Sequence, residues 1–242
     1  MKRAIVFGAT GGIGQAICRE LALSGWSLYL HYNTKKEQAE QLAQELFAKY
    51  PELDFMPIQL NFATSDQELT SFVNSLLPVN AAIFAQGITN YGFLGDEKLT
   101  NISQVININL ATPIKLTKLL EPQLMKQSFS RIVYLGSVYG GAGSALESVY
   151  SATKSGLSRF AQAYAREVAS NNLTVNVIAP GAVKTQMNSI FSQATIEEVQ
   201  EEIPAGRWAQ GEDISYWVKT ILNPRSSYLT GQTIYVTGGW LL

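Results

Sequence analysis

A chain of 242 residues with a net charge of −1 and no block of lysine and arginine has the size of one α/β domain, and its charge balance speaks against nucleic acid as a partner. No apolar run reaches the roughly 20 residues of a membrane span. With one cysteine and one histidine, the chain can build neither an internal disulfide nor a zinc cage, so the expectation is a soluble cytoplasmic protein that needs neither metal nor membrane.

Short β-branched or apolar runs alternate with helical periodicity, the pattern of βαβ units around a parallel sheet. Strands are predicted near Ala4–Phe7, Leu28–His31, Phe55–Leu60, Ala81–Ala85, Ile132–Leu135, Thr174–Ala179 and Thr233–Val236. The first runs straight into Gly8-Ala9-Thr10-Gly11-Gly12-Ile13-Gly14, and a helical pattern follows from Ile13 to Leu23. Glycines let a backbone approach a pyrophosphate closely, and a helix N-terminus offers it N–H groups and partial positive charge. Cys18 sits on this amphipathic helix as a packing residue, and His31, at the end of the second strand without a metal-binding neighbour, is read as structural.

Which dinucleotide binds is decided after the second strand, where an acid would bond the ribose of NAD and repel the extra phosphate of NADP. The sequence there is Asn33-Thr34-Lys35-Lys36, with no acid before Glu37. Asn33 and Thr34 can donate hydrogen bonds and Lys35 can supply charge, so NADPH is the expected cofactor. The next helix carries an apolar stripe of Ala39, Leu42, Ala43, Leu46 and Phe47, and Thr34 with Glu37 is expected to form a capping box at its start.

Further along, Gly136-Ser137 closes the fifth strand and Tyr150-Ser151-Ala152-Thr153-Lys154 follows, with Tyr150 and Lys154 sharing one helix face. Chance alone supplies about half of one Tyr-x-x-x-Lys in such a chain, so specificity comes from the order: glycine turn, serine, then the tyrosine and lysine pair. Pro113 lies four residues after Asn109 on a predicted long helix. It has no N–H for the Asn109 carbonyl, which is expected to be free to hold a water. The segment 186–211, after the sixth strand, lacks a strand signal and lies where ligands of such sheets sit, so it is expected to be a substrate lid.

From Arg3 to about Trp240 the sequence resembles the short-chain dehydrogenase/reductase family, in Gly8–Gly14, Ala85-Gln86-Gly87, Asn109, Ser137, Tyr150 with Lys154, Pro180-Gly181 with Thr185 and Met187, and Tyr235–Gly239. The resemblance implies a single-domain Rossmann fold with a seven-stranded parallel sheet in the order 3-2-1-4-5-6-7. It implies Tyr150 as general acid, Ser137 as donor to the substrate carbonyl, Lys154 as tuner of Tyr150 and contact of the nicotinamide ribose, and Asn109 as anchor of a water relay. It places the cofactor along Gly8, Thr10, Gly11, Gly12, Ile13 and Gly14, then Asn33, Thr34 and Lys35, Asn61 and Phe62, and Ala85, Gln86 and Gly87. Beyond Tyr150 and Lys154, Pro180 and Gly181 continue that path, and Val183 and Thr185 contact the nicotinamide amide. It also implies a homotetramer joined through the helices of Asn109 and Tyr150 and the last strand.

A tyrosine pKa of about 10 suits proton transfer poorly near neutrality, but an ammonium at about 4 Å is worth roughly 4 kcal/mol at an effective dielectric of 20, which would bring Tyr150 toward neutral pH. The sequence departs from the family pattern at Phe7, in place of a threonine, in Phe84-Ala85-Gln86-Gly87, and at Asn61, in place of an aspartate.

For the substrate, Gly87-Ile88-Thr89, Ala165–Ala169 and Thr174–Val177 are similar to 3-oxoacyl-[acyl-carrier-protein] reductases. This implies a 3-oxoacyl thioester on acyl carrier protein, although Ser128 and Asn171 stand where arginines dock that acidic carrier. Leu30–Asn33, Glu202-Ile203-Pro204 and Gly238-Gly239-Trp240 resemble instead a branch that reduces an aminopentanone group on a lysine of elongation factor P, and Glu197, Glu198, Glu201 and Glu202 give the lid a charge suited to a cation. A catalytically silent dinucleotide sensor is the reading of another class; retention of Ser137, Tyr150 and Lys154 speaks against it.

Overall fold

The structure, a computed structural model, describes residues 2–186 and 192–241. Met187 and the part of the expected lid between 187 and 191 lie outside them. Seven parallel strands form one sheet in the order β3-β2-β1-β4-β5-β6-β7: β1 (Arg3–Phe7), β2 (Ser27–Tyr32), β3 (Phe55–Gln59), β4 (Ala81–Phe84), β5 (Ser130–Leu135), β6 (Leu173–Pro180) and β7 (Thr233–Val236). Each predicted strand lies within two residues of the observed one at both ends. The helices are α1 (Gly12–Leu23), α2 (Lys36–Lys49), α3 (Asp66–Asn74), α4 (Leu99–Ile106), α5 (Thr112–Leu124), α6 (Tyr139–Ala142), α7 (Ser148–Val168), α8 (Gln193–Glu202) and α9 (Gly211–Leu222).

Every residue of β5 and β6 is buried, as expected where helices cover both faces of a parallel sheet. One face packs Phe7, Phe84, Ile132, Tyr134 and Val175 against α3, α5 and α7. The other packs Val6, Leu28, Ile83 and Val133 against α1, α2 and α9. Pro57 occupies the edge strand β3, where a missing N–H costs least.

The turn from β1 into α1 depends on its glycines. Gly8 has φ 77°, and an added Cβ there would lie 2.7 Å from Gln86 N. At Gly14 it would lie 2.1 Å from the Gly8 carbonyl, so only glycine lets α1 start this close to the strand. The capping box of Thr34 and Glu37 does not form: α2 begins at Lys36 with Lys35 as its N-cap and no side-chain cap. Thr34 is therefore one residue too early to reach the N3 amide, and it belongs to the loop instead. A capping box does open α3, where Ser65 accepts from Glu68 N and Glu68 from Ser65 N.

The strand order reverses between β1 and β4, and at such a switch point the loops beyond the strand ends diverge and leave a crevice. A cleft of about 950 Å³ opens there, lined from the glycine turn through the ends of β2 and β4 to Tyr150 and Lys154. Among the described residues no helix is long and apolar enough to cross a membrane.

Candidate active site

The floor of the cleft is the turn Gly8–Gly14. Helix α1 has neither a side-chain cap nor an acid in its first turn, so its positive end stays available to an anion in the cleft. His31 supports the turn from behind: its Nδ1 accepts from Gly8 N at 3.0 Å and its Nε2 faces the Leu60 carbonyl at 3.0 Å. The Gly8 amide fixes Nδ1 as acceptor, so the proton sits on Nε2 and the ring is neutral. Burial pushes its pKa down to about 4. Phe7 stacks on Phe84 at 4.7 Å between ring centroids and tilts against His31 at 5.3 Å. The residue that departs from the family pattern thus belongs to an aromatic layer beneath the turn.

Asn33, Thr34 and Lys35 form one end of the cleft. All three are exposed, and Lys35 Nζ donates across the opening to Gln186 Oε1 at 2.9 Å. Thr10, Gly11, Gly12, Ile13, Phe62, Ala85, Gln86, Gly87, Pro180 and Thr185 also line the wall. Three residues placed along the cofactor by sequence do not. Asn61 is turned to its own loop, its Oδ1 accepting from Ala63 N at 2.9 Å. Gly181 packs against the backbone of Thr237. Val183 is buried in a parallel bridge to Ala209, so its position is set by that pairing behind the wall.

The expected catalytic residues converge at the inner end. Lys154, 3% exposed, donates from Nζ to the Leu135 carbonyl at 2.7 Å, at the end of β5. Gly87 brings Asn109 and Lys154 together, since an added Cβ there would lie 3.4 Å from Lys154 Nζ and 3.6 Å from Asn109 Oδ1. Asn109 is fully buried. Its Oδ1 accepts from Ile88 N at 2.9 Å, and its Nδ2 donates to Ile88 O at 2.8 Å and to Thr153 Oγ1 at 3.3 Å.

The long helix expected through Asn109 is not continuous. Between α4 and α5 residues Asn107–Ala111 form a π turn, with Thr112 N bonding Asn107 O five residues back. The wider turn accommodates Pro113, which cannot donate to the Asn109 carbonyl, and it aims the Asn109 side chain at Ile88. The side chain carries the contacts to Ile88 and Thr153.

The electrostatics correct one expectation. Lys154 Nζ sits 5.5 Å from the Tyr150 ring centroid, committed to Leu135, and it does not pull the tyrosine toward neutrality. Burial raises Tyr150 to about 12, with the nearby Ser137 hydroxyl lowering it and the Glu147 carboxylate raising it further. Burial likewise brings Lys154 down to about 8. For both groups the loss of solvent is the largest cause of the shift.

Two further residues stand in or just behind this wall: Glu147, which sequence reasoning did not single out, and His31, which it read as structural without finding its partner. Glu147, three positions before Tyr150, accepts from Thr89 Oγ1 at 2.7 Å; an acid at the head of the tyrosine helix was its visible signal. His31 was visible only as a lone buried histidine, because its bond to Gly8 crosses between two strands. Cys18 is buried, with its thiol pKa raised by burial, as a packing residue requires.

Comparison with known proteins decides the family. The model for short chain dehydrogenase matches residues 2–195. The chain belongs to the short-chain dehydrogenase family. It is an oxidoreductase of that family, whose members use a nicotinamide dinucleotide. It is 33% identical over 240 residues to the uncharacterized oxidoreductase YmfI of Bacillus subtilis (strain 168), covering 99% of this chain and 98% of that one. It is also 33% identical over 241 residues to the 3-oxoacyl-[acyl-carrier-protein] reductase FabG of Staphylococcus aureus (strain Mu50 / ATCC 700699), covering 98% and 97%. The fold matches, at a TM-score of 0.92 and 25% identity over 99% of this chain and 96% of the other, the crystal structure of a protein assigned as an NAD(P) dependent gluconate 5-dehydrogenase from Beutenbergia cavernae, solved with NADP at low occupancy. The short-chain dehydrogenase cleft fits a dinucleotide on its own terms: a glycine floor no side chain can fill, an uncapped helix end, and a buried Gln86 Oε1 that lacks a partner.

Proposed function

We propose that this chain is an NADPH-dependent reductase of a ketone carried on a protein. The observation that carries the reading is the convergence of Tyr150, Lys154 and Gly87 at the inner end of the cleft whose outer end is Asn33-Thr34-Lys35. Gly8–Gly14 would hold the pyrophosphate and Thr34 and Lys35 the extra phosphate. When bound, the dinucleotide supplies hydride to the carbonyl carbon.

The protein's own part is to stabilise charge and deliver a proton. With a pKa near 12, the Tyr150 hydroxyl stays protonated throughout the neutral range. It can donate to the carbonyl oxygen as that atom gains negative charge, with the Ser137 hydroxyl beside it. Lys154 Nζ, titrating near 8, can return a proton to Tyr150. Asn109 fixes Ile88 and Thr153 around that lysine. The described part of the expected lid, residues 192–211, would close the substrate side, and exposed Leu99 and Ile106 on α4 support assembly as a homotetramer; the cytoplasm is the expected location.

Two carriers are supported. The FabG relatives favour a 3-oxoacyl thioester on acyl carrier protein. The exposed acids Glu197, Glu198, Glu201 and Glu202 on α8, together with Glu147, favour the aminopentanone group on a lysine of elongation factor P, because such a surface repels an acidic carrier and attracts a cation. Oxidation of NADPH and of NADH is to be followed with a 3-oxoacyl thioester on acyl carrier protein, with a short carrier-free analogue, and with the modified elongation factor. Fast carrier-dependent turnover supports the first substrate, and turnover of the elongation-factor ketone alone supports the second. Absence of turnover with all three, or a preference for NADH, overturns the reading.

A further inference from the structure

We propose that Glu147 is the substrate-reading carboxylate of this active site, a specificity-determining residue that selects ketones bearing a cationic group. The proposal rests on the reading of the cleft as that of an NADPH-dependent ketone reductase and adds a rule for its substrates.

Glu147 occupies the N-cap position of α7, yet its side chain makes no capping bond. It turns the other way, accepting from Thr89 Oγ1 at 2.7 Å and, at the limit of bonding, from Ser144 Oγ at 3.5 Å. Thr89 lines the main cleft, so the carboxylate stands one side chain behind the wall. It also lines a small adjoining hollow together with Tyr150, Glu97 and Leu146. Tyr150 belongs to both spaces, which places the carboxylate beside the proton donor and away from the dinucleotide end at Lys35. The backbone is bent to achieve this: Leu146, immediately before Glu147, has φ 65°, a left-handed conformation that a branched side chain adopts only when its surroundings impose it. The Leu146 carbonyl is pinned by Gly92 N at 2.9 Å.

The charge itself is unbalanced. Among the described residues no lysine, arginine or histidine pairs with Glu147. The N-terminus of α7 supplies about half a unit of positive charge at most. Lys154, the cation of the site, donates instead to the Leu135 carbonyl, and Glu97 adds charge of the same sign. A half-buried carboxylate with one short hydrogen bond has acceptor sites left for a further donor or cation. A cation on the substrate can fill them, whereas a neutral acyl chain leaves the carboxylate uncompensated.

The test uses the full chain with NADPH and two ketones of equal shape, one ending in trimethylammonium and the other in its neutral tert-butyl isostere. The native enzyme is expected to prefer the cation by roughly tenfold in kcat/KM, about 1.4 kcal/mol, with the difference in KM. Glu147→Gln is expected to abolish the preference, raising KM for the cation and lowering it for the neutral ketone. Glu147→Asp should restore part of it. Thr89→Val, which deletes the hydrogen bond but keeps the charge, should retain it, and this separates a charge effect from a structural one. Equal turnover of both ketones by the native enzyme, or a preference that survives Glu147→Gln, overturns the role of Glu147 and leaves the reductase reading intact. Oxidation of NADPH with neither ketone overturns the reductase reading, and the proposal with it.

Discussion

The two sides proposed to hold cofactor and substrate are built by different means. The cofactor wall is backbone against backbone: Gly14 on Gly8, Gly8 on the strand end at Gln86, and a histidine ring bonded to a main-chain amide. The side proposed to face the substrate, the substrate wall, is side chain against side chain. Ile203, Trp208 and Trp240 form with Val138 a small apolar cluster separate from the two main cores, and Trp208 and Trp240 are each tied by an indole N–H, to Ile196 O and Glu202 Oε2, both at 3.0 Å. The first wall cannot change without moving the sheet; the second can be repacked locally. The difference teaches how one domain can hold its glycine turn fixed while a neighbouring surface stays open to repacking.

The comparison can be broken at several points. The largest effect is expected where the walls meet: Tyr150→Phe should lower kcat by about 10³, within the range of general acid catalysis, while a fluorescence titration shows NADPH bound as in the native enzyme. Next, Gly14→Ala drives a methyl into the Gly8 carbonyl, and it should cost at least about 3 kcal/mol, the upper end of overpacking, read as a lower Tm and lost dinucleotide binding.

His31 gives the cofactor wall a pH signature. Its folded pKa near 4 lies below its ordinary 6.5, so its contribution is intact above pH 6.5 and is lost as pH falls through about 4, to an upper figure of about 3 kcal/mol. Glu45, lowered to about 2 by Arg19, acts in a more acid range. Urea unfolding at pH 7 and pH 4.5 should show a drop that His31→Asn flattens. The smallest effect belongs to the substrate wall, where Trp240→Ala should raise KM for the ketone about tenfold and leave NADPH affinity unchanged, as steady-state kinetics and titration would show. Equal damage to both affinities would erase the distinction.

The same contrast explains what could be read in advance. The sheet, the glycine turn, Tyr150 and Lys154 were legible because each is a local pattern: period two, glycines at fixed spacing, or two residues on one helix face. The direction of the Tyr150 pKa was not, because burial is a property of the folded whole and sequence shows only the neighbouring charge. Asn61 and Val183 do not line the cleft for a related reason, since a turn and a bridge to Ala209 take them up. Glu147 escaped notice because its bond to Thr89 joins residues 58 apart, and nothing in the sequence near Tyr150 reports a missing counter-ion.

The π turn at Asn107–Ala111 holds one residue more than an α-helical turn would. Removing one residue there would restore a regular helix and rotate everything on one side of it by about 100° relative to the other. Asn109 would then swing away from Ile88, although no amino acid in the site had been exchanged. At this position activity depends on the count of residues as much as on their identity. A family member shortened here by one would keep every catalytic side chain in its sequence and still be unable to assemble them.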